Sequence, residues 1–264
     1  MPILQAFAAG LLERASDLAA VETANNGSLQ LFNQHRTVPR AALNISYFAE
    51  FARTLAHEID SPEVVNHVRY DPAGVAALIT PWNAPLMLTT WKVGPCLAAG
   101  NTAVVKPPEW APLTCSMMAD IAARAGVPAG VLNVVQGFGE EAGAALVEHP
   151  GIDRISFTGS TDTAKLIGQA GARSITPVSM ELGGKSPFIV LADADLDAAA
   201  QTVANQYGNA GQVCLAGTRI LVEESIAGKF LEMVRAAVAQ MIVGDPRDAK
   251  TRVGPRGAQF RRRA

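Results

Sequence analysis

Between residues 74 and 157, short apolar runs that suit strands alternate with stretches of helical spacing, and this alternation restricts the fold more than any other feature of the chain. Gly74-Val75-Ala76-Ala77-Leu78-Ile79 reads as a strand buried on both faces of a parallel sheet. Pro85 suits the first turn of a helix ending near Gly100. The pattern then predicts a strand from Thr102 to Lys106, a helix from Leu113 to Ala125 closed by Gly126, a strand from Val131 to Val135, a helix from Glu140 to Glu148 and a strand from Arg154 to Phe157. Such βα units with short connections predict an α/β fold with a doubly wound parallel sheet. Ligands bind such sheets at the carboxyl ends of the strands. Three segments directly after predicted strands therefore stand out: Thr80-Pro81-Trp82-Asn83, Lys106-Pro107-Pro108-Glu109 and Phe157-Thr158-Gly159-Ser160.

Upstream, Leu11, Ala15 and Leu18 fall at helical spacing, predicting a first helix that runs to about Ala24, with Asn26-Gly27 as a left-handed cap. Leu43, Tyr47, Phe51 and Leu55 recur every fourth residue, predicting a second helix whose apolar face covers the sheet and whose aromatic side chains enter the core. Beyond Ile175 a strand leads into Glu181. A strand from Phe188 to Leu191, a helix from Leu196 to Ala210, a loop holding Cys214, a strand from Arg219 to Val222 and a helix from Ile226 to Val243 follow. Arg256 to Ala264 carries four arginines without apolar periodicity and reads as a solvated tail.

The 264 residues are 49% apolar and 17% charged, as suits a compact globular protein with a substantial core. A net charge of −2 gives no electrostatic case for nucleic acid. The three cysteines, Cys96, Cys115 and Cys214, lack metal-ligand spacing. They predict reduced thiols in a cytoplasmic protein with no metal. The N-terminus has no basic region ahead of an apolar one, and no apolar run is long enough to cross a membrane.

Two further segments carry chemistry. Glu181-Leu182-Gly183-Gly184-Lys185 is followed, 33 positions after its glutamate, by Cys214 in Gly211-Gln212-Val213-Cys214. Cys96 and Cys115 lie on predicted helices and read as small buried hydrophobes. Cys214 instead sits in a glycine-bearing loop, where a thiolate is able to attack a carbonyl carbon. These two motifs, in this order, resemble the aldehyde dehydrogenase superfamily, and the likeness runs from about Leu11 to about Pro255. The stretch from Gly211 to Arg219 is similar to that of members oxidising hydroxymuconic semialdehydes.

The resemblance implies NAD(P)-dependent oxidation of a small-molecule aldehyde or semialdehyde to a carboxylic acid through a cysteine thiohemiacetal and thioester. It implies a Rossmann-like cofactor domain over residues 1–183, with part of an oligomerisation hairpin at about 54–72, and the first part of an α/β catalytic domain over 184–264. Cys214 corresponds to the nucleophile. Asn83, with the cysteine's own N–H, would hold the developing oxyanion, and an asparagine there is equally suited to capping the helix that follows. Glu181, between Met180 and Leu182, corresponds to the base that activates water, and partial burial would raise its pKa. The implied cofactor contacts are Ile79, Thr80, Pro81, Trp82 and Asn83; Lys106, Pro107 and Glu109; Gly139 and Gly143; Phe157, Thr158, Gly159 and Ser160; and Glu181, Leu182 and Gly183. Lys106 stands in the catalytic set as well. In Gly137-Phe138-Gly139-Glu140-Glu141-Ala142-Gly143 the third glycine comes one residue late for a dinucleotide fingerprint, so an ordinary tight turn explains it as well. The helix that Ser160 is placed to cap suits the pyrophosphate better. Glu109 against the ribose favours NAD, with NADP as the alternative.

Members of the superfamily are almost twice as long. The expectation is therefore a truncated chain, exposing apolar surface and strand edge around Phe188 to Leu191 and Arg219 to Val222, and not forming the homo-oligomers of full-length relatives. A second reading follows: a catalytically impaired fragment serving only as a nucleotide-binding or assembly module.

Overall fold

The computed structural model describes residues 2–54, 58–60, 63–68 and 70–255. Helices α1 (Pro2–Glu13), α2 (Ala15–Asn26), the single turn α3 (Gln30–Phe32), a π-helical turn (Asn33–Thr37) and α4 (Val38–Phe51) precede an antiparallel hairpin, β1 (Glu58–Asp60) and β2 (Val65–His67). The βα succession follows: β3 (Val75–Ile79), α5 (Pro85–Ala98), β4 (Thr102–Lys106), α6 (Leu113–Arg124), β5 (Leu132–Val134), a π-helical turn (Gly139–Gly143) continuing into α7 (Ala144–Glu148), β6 (Arg154–Gly159), α8 (Thr161–Ser174) and β7 (Val178–Leu182). The last part holds β8 (Pro187–Val190), α9 (Leu196–Asn205), a 3-10 turn (Gly208–Gly211), β9 (Arg219–Val222), a second 3-10 turn (Glu224–Ile226) and α10 (Ala227–Ala239).

Five strands form one parallel sheet in the order β5-β4-β3-β6-β7. From β3 the chain winds outward through β4 and β5, then returns to the other side of β3 for β6 and β7. The switch point lies between β3 and β6, where such sheets open a ligand crevice at their carboxyl edge. Alternate residues of β3 serve opposite faces. Ala76 and Leu78 join a core with α1, α2, α4, α5 and α6, while Ala77 and Ile79 pack with β6, α7 and α8. A third core, around Val190, Ala200, Val203 and Phe230, belongs to the segment after residue 186.

Several boundaries differ from expectation. The first helix breaks at Arg14 (φ −101°, ψ 22°); α1 packs on α4 and α6, and α2 on α6 and the π-helical turn. The helix predicted to reach Ala210 stops at Asn205, because Asn209, Ala210 and Gly211 all take left-handed conformations. The last helix ends at Ala239, not Val243, and β6 runs on through Thr158 and Gly159.

The largest correction concerns α4. Tyr47 and Phe51 do not enter the core: Leu43, Tyr47 and Phe51 are 53%, 56% and 48% exposed, and the buried stripe is Val38, Ala41, Ala42, Ile45 and Ala49. Small side chains win that face because α4 crosses α5 closely. A Cβ on Gly94 of α5 would stand 2.9 Å from the Asn44 carbonyl oxygen. Large aromatics would hold the helices apart. Leu55 and the arginine-rich 256–264 stretch lie outside the described residues.

The sheet β8–β9 is covered on one side by α9 and α10. Ile189, Leu191 and Leu221 are exposed, as expected for this region. No described strand pairs with the outer edges of β8 or β9.

Candidate active site

The carboxyl edge of the sheet gathers the segments singled out from sequence. Ile79 is in register with Lys106, Thr158 with Glu181, and Gly159 with Leu182. At the end of β3, Thr80 is buried and its N–H donates to the Lys106 carbonyl; Pro81 is also buried, and Trp82 and Asn83 are half-buried. At the end of β4, Lys106 is only 3% exposed, and its Nζ donates to Glu109 Oε2 at 2.9 Å. Pro107 beside it is buried. An ammonium has three donors, so Lys106 keeps donors for a ligand hydroxyl, while the Glu109 carboxylate accepts from one.

Beyond β5, Gly139 and Gly143 delimit a π-helical turn, with open space where a Cβ would stand on either residue. At the end of β6, Ser160 caps α8, its Oγ accepting the Thr163 N–H at 3.2 Å. The capped fourteen-residue helix leaves first-turn N–H groups and the positive end of its dipole for an anion. Phe157 is buried beneath this edge, with Thr158 and Gly159 half-buried above it. A buried lysine paired with a glutamate, a helix N-terminus and two uncrowded glycines together fit a dinucleotide.

Cys214 is exposed, in the loop that follows the three left-handed residues; Cys96 and Cys115 are buried. Burial pushes the Cys96 thiol up to about 11 and the Cys115 thiol up to about 12. The positive φ of Asn209 and Ala210 is costly for residues with a Cβ. Asn83 helps hold that turn: its Nδ2 donates to the Gln212 carbonyl at 2.8 Å, and Asn209 Nδ2 donates to the Asn83 carbonyl at 3.0 Å. Gln212 Nε2 closes the circuit on the Asn209 carbonyl at 2.8 Å. Since a side-chain amide carries two hydrogens, Asn83 has a second one for an oxyanion. Gly184 completes the packing, since a Cβ there would lie 3.2 Å from the Cys214 carbonyl oxygen. The structure thus joins the Asn83, Gly184 and Cys214 segments.

Glu181 stands apart from that circuit. The expected partial burial is not found: its side chain is exposed, because it projects from edge strand β7 onto a face that α8 leaves uncovered. Leu182 is half-buried and Gly183 exposed. Glu181 takes no part in the hydrogen bonds among Asn83, Asn209 and Gln212. Glu181 instead lines a groove of about 910 Å³ between α4, α5 and the open face of β6–β7. Ser156, Thr158, Ser179 and Glu181 give this face a polar wall; Tyr47, Phe48 and Trp91 form the apolar one.

The sequence reading missed Lys92. Its Nζ donates to Ser156 Oγ at 2.9 Å in the same groove. Burial lowers its pKa to about 8, against the opposing pull of the Glu181 carboxylate. A single lysine in the otherwise uncharged run Leu86 to Ala98 was the available signal. Arg40 lies over the Trp91 ring at 5.8 Å, anchored by Nε donating to Asn44 Oδ1. Among the described residues no group of three or more His, Cys, Asp or Glu is placed to hold a metal, and no helix is long and apolar enough to cross a membrane.

Comparison with known proteins adds independent findings. Residues 1–262 match the model of the aldehyde dehydrogenase family. The chain is 42% identical over 261 residues to a 2-hydroxymuconic semialdehyde dehydrogenase of Pseudomonas sp. (strain CF600), covering 96% of this chain and 54% of the relative. It is 44% identical over 257 residues to a phenylacetaldehyde dehydrogenase of Pseudomonas fluorescens, covering 94% and 51%. Among solved structures, the aldehyde dehydrogenase KauB of Pseudomonas aeruginosa superposes with a TM-score of 0.94 at 41% identity, over 97% of this chain and 52% of that one. An indole-3-acetaldehyde dehydrogenase in complex with NAD+ gives 0.94 at 42% identity, over the same shares. The chain spans about half the length of the curated relatives it matches.

Proposed function

Because this chain belongs to the aldehyde dehydrogenase family, we propose that it carries the machinery for oxidising an aldehyde to a carboxylic acid, with Cys214 as nucleophile. The observation that carries this reading is the circuit joining Asn83 to the Cys214 loop beside the sheet's switch point. In the proposed chemistry the Cys214 thiolate attacks the aldehyde carbon, forming the C–S bond as the carbonyl oxygen becomes an oxyanion. The free hydrogen of the Asn83 amide stabilises that oxygen. NAD held by Lys106, Glu109 and the start of α8 would supply the hydride acceptor, and loss of the hydride from the thiohemiacetal carbon would leave a thioester on Cys214. Glu181, on the groove wall, takes a proton from the water that attacks the thioester; acid leaves and the thiol is restored.

Lys106 and Glu109 would hold the ribose hydroxyls, and the Ser160-capped start of α8 the pyrophosphate. Ile79, Thr80, Pro81, Trp82, Pro107, Gly139, Gly143 and Phe157 to Gly159 would form the surrounding walls, with Leu182 and Gly183 at the β7 edge. Residues 1–183 would form the cofactor domain and 184–264 part of the catalytic one, a division supported by the separate core after residue 186. The hairpin β1–β2 would serve assembly of subunits.

Arg40 favours a substrate bearing a carboxylate, that is, a semialdehyde: held over Trp91, it is one of three cationic side chains lining the groove, with Lys92 and Arg154. The similarity to a semialdehyde dehydrogenase supports the same class. The test is NADH formation with a panel of simple and carboxylated aldehydes. Cys214→Ala is expected to abolish it, and Arg40→Leu to raise KM for carboxylated substrates alone. Equal NADH formation by Cys214→Ala would refute the proposal.

A further inference from the structure

We propose that Glu22, on α2 and away from the reacting atoms, is a positioning residue that fixes Asn83 and, through it, the loop bearing Cys214. The inference rests on the reading that Asn83 and Cys214 act together. Helix α5 begins one residue after Ala84, and Ala84 has no side chain able to cap it. Pro85 has no N–H, so the first donor of α5 in need of an acceptor is Leu86 N–H. Glu22 supplies that acceptor from another helix: Oε1 accepts the Leu86 N–H at 3.3 Å, and Oε2 accepts the Thr114 hydroxyl.

Glu22 is 1% exposed. An apolar side chain would fill the same space without the cost of burying a carboxyl group, so packing alone does not account for it. Desolvation raises its pKa to about 7, a measure of that cost. What the carboxyl provides is an anchor for the start of α5, three residues after Asn83. Other contacts point to the same segment. Thr89 Oγ1 donates to Thr80 Oγ1, tying α5 to the residue after β3, and Asn26 Nδ2 reaches the Trp82 carbonyl at 3.5 Å. Asn83 then passes this placement to Gln212 and Asn209.

The experiment reads the coupling directly, without requiring aldehyde oxidation: the rate of Cys214 alkylation by iodoacetamide in the folded protein, followed by peptide mass spectrometry. Glu22→Ala is expected to change this rate about fivefold, in the same direction as Asn83→Ala, and the double variant to go no further than Asn83→Ala alone. Glu22→Gln, whose amide oxygen accepts from Leu86 and whose amide N–H donates to Thr114, is expected to restore the parent rate. A folded Glu22→Ala protein within about twofold of the parent, or effects that multiply in the double variant, would overturn the proposal. Should Glu22→Ala not fold, Glu22→Asp, one methylene too short for Leu86, takes its place with the same expectations. A parent rate in folded Glu22→Asp, alongside faster hydrogen exchange at the Leu86 amide, likewise overturns it. Coupling observed in a protein that oxidises no aldehyde would leave this inference standing and remove the activity.

Discussion

Replacing Glu22 with glutamine should make the protein more stable, and the gain should depend on pH. Burial raises the Glu22 pKa from 4.5 to about 7. Below pH 4.5 the carboxyl is protonated in both folded and unfolded chains, and nothing is lost. Between pH 4.5 and 7 the unfolded chain gives up its proton while the folded one keeps it, so stability falls as pH rises. Above pH 7 the loss is complete, at about 3 kcal/mol. Glutamine, neutral throughout, escapes this cost while keeping partners for Leu86 N–H and the Thr114 hydroxyl. Urea unfolding of both proteins at pH 5 and pH 8 measures the difference. The glutamine variant should gain about 2.5 kcal/mol relative to the parent between the two values. Lys92 titrates equally in both proteins and cancels. A difference that stays level within about 0.5 kcal/mol, or that favours the parent at pH 8, would refute the reasoning.

Mild alkylation should label Cys214 well before Cys96 and Cys115, whose burial both shields the thiol and opposes its ionisation; prior labelling of either buried cysteine, read by peptide mass spectrometry, would contradict the assignment. Glu181→Gln should slow acid release far more than formation of the thioester, so that an acyl adduct on Cys214 accumulates and is seen in the intact-protein mass; release at the parent rate would remove Glu181 from the role. Glu109→Ala should narrow a preference for NAD over NADP measured by titration, because a 2′-phosphate no longer meets a carboxylate; tighter binding of NADP by the parent would show that Glu109 does not set the choice. Lys92→Met should be more stable than the parent near pH 7, because burial opposes the ammonium. That gain should shrink as pH rises from about 8 towards 10.5, where the unfolded lysine also loses its proton; a gain unchanged across this range in urea unfolding would count against it.

The elements of the sheet were legible because their signals are local. Thr102 to Lys106 is a strand with the bounds its apolar run predicts, and Gly27 and Ser160 end and begin helices through their own backbone and side-chain properties. The Glu181 and Cys214 motifs were legible for the same reason: each is a short contiguous segment. The left-handed turn at Asn209 was not: asparagine tolerates that conformation but Ala210 does not favour it, and the turn is held by a hydrogen bond to a residue 126 positions away. Nor does periodicity say which of two apolar stripes on α4 is buried. Closeness to Gly94 decides that, and it leaves Tyr47 and Phe51 exposed, Tyr47 on the wall of the groove. Glu22 and Lys92 read in sequence as ordinary charged helix residues. Each acquires its role from a partner 64 positions along the chain, Leu86 for one and Ser156 for the other. The sequence by itself determined the alternation of strands and helices and the identity of the reactive groups, because neighbouring residues suffice for both. Only the tertiary structure decided which buried charges meet which donors, because that depends on where helices cross and which strand faces are left open.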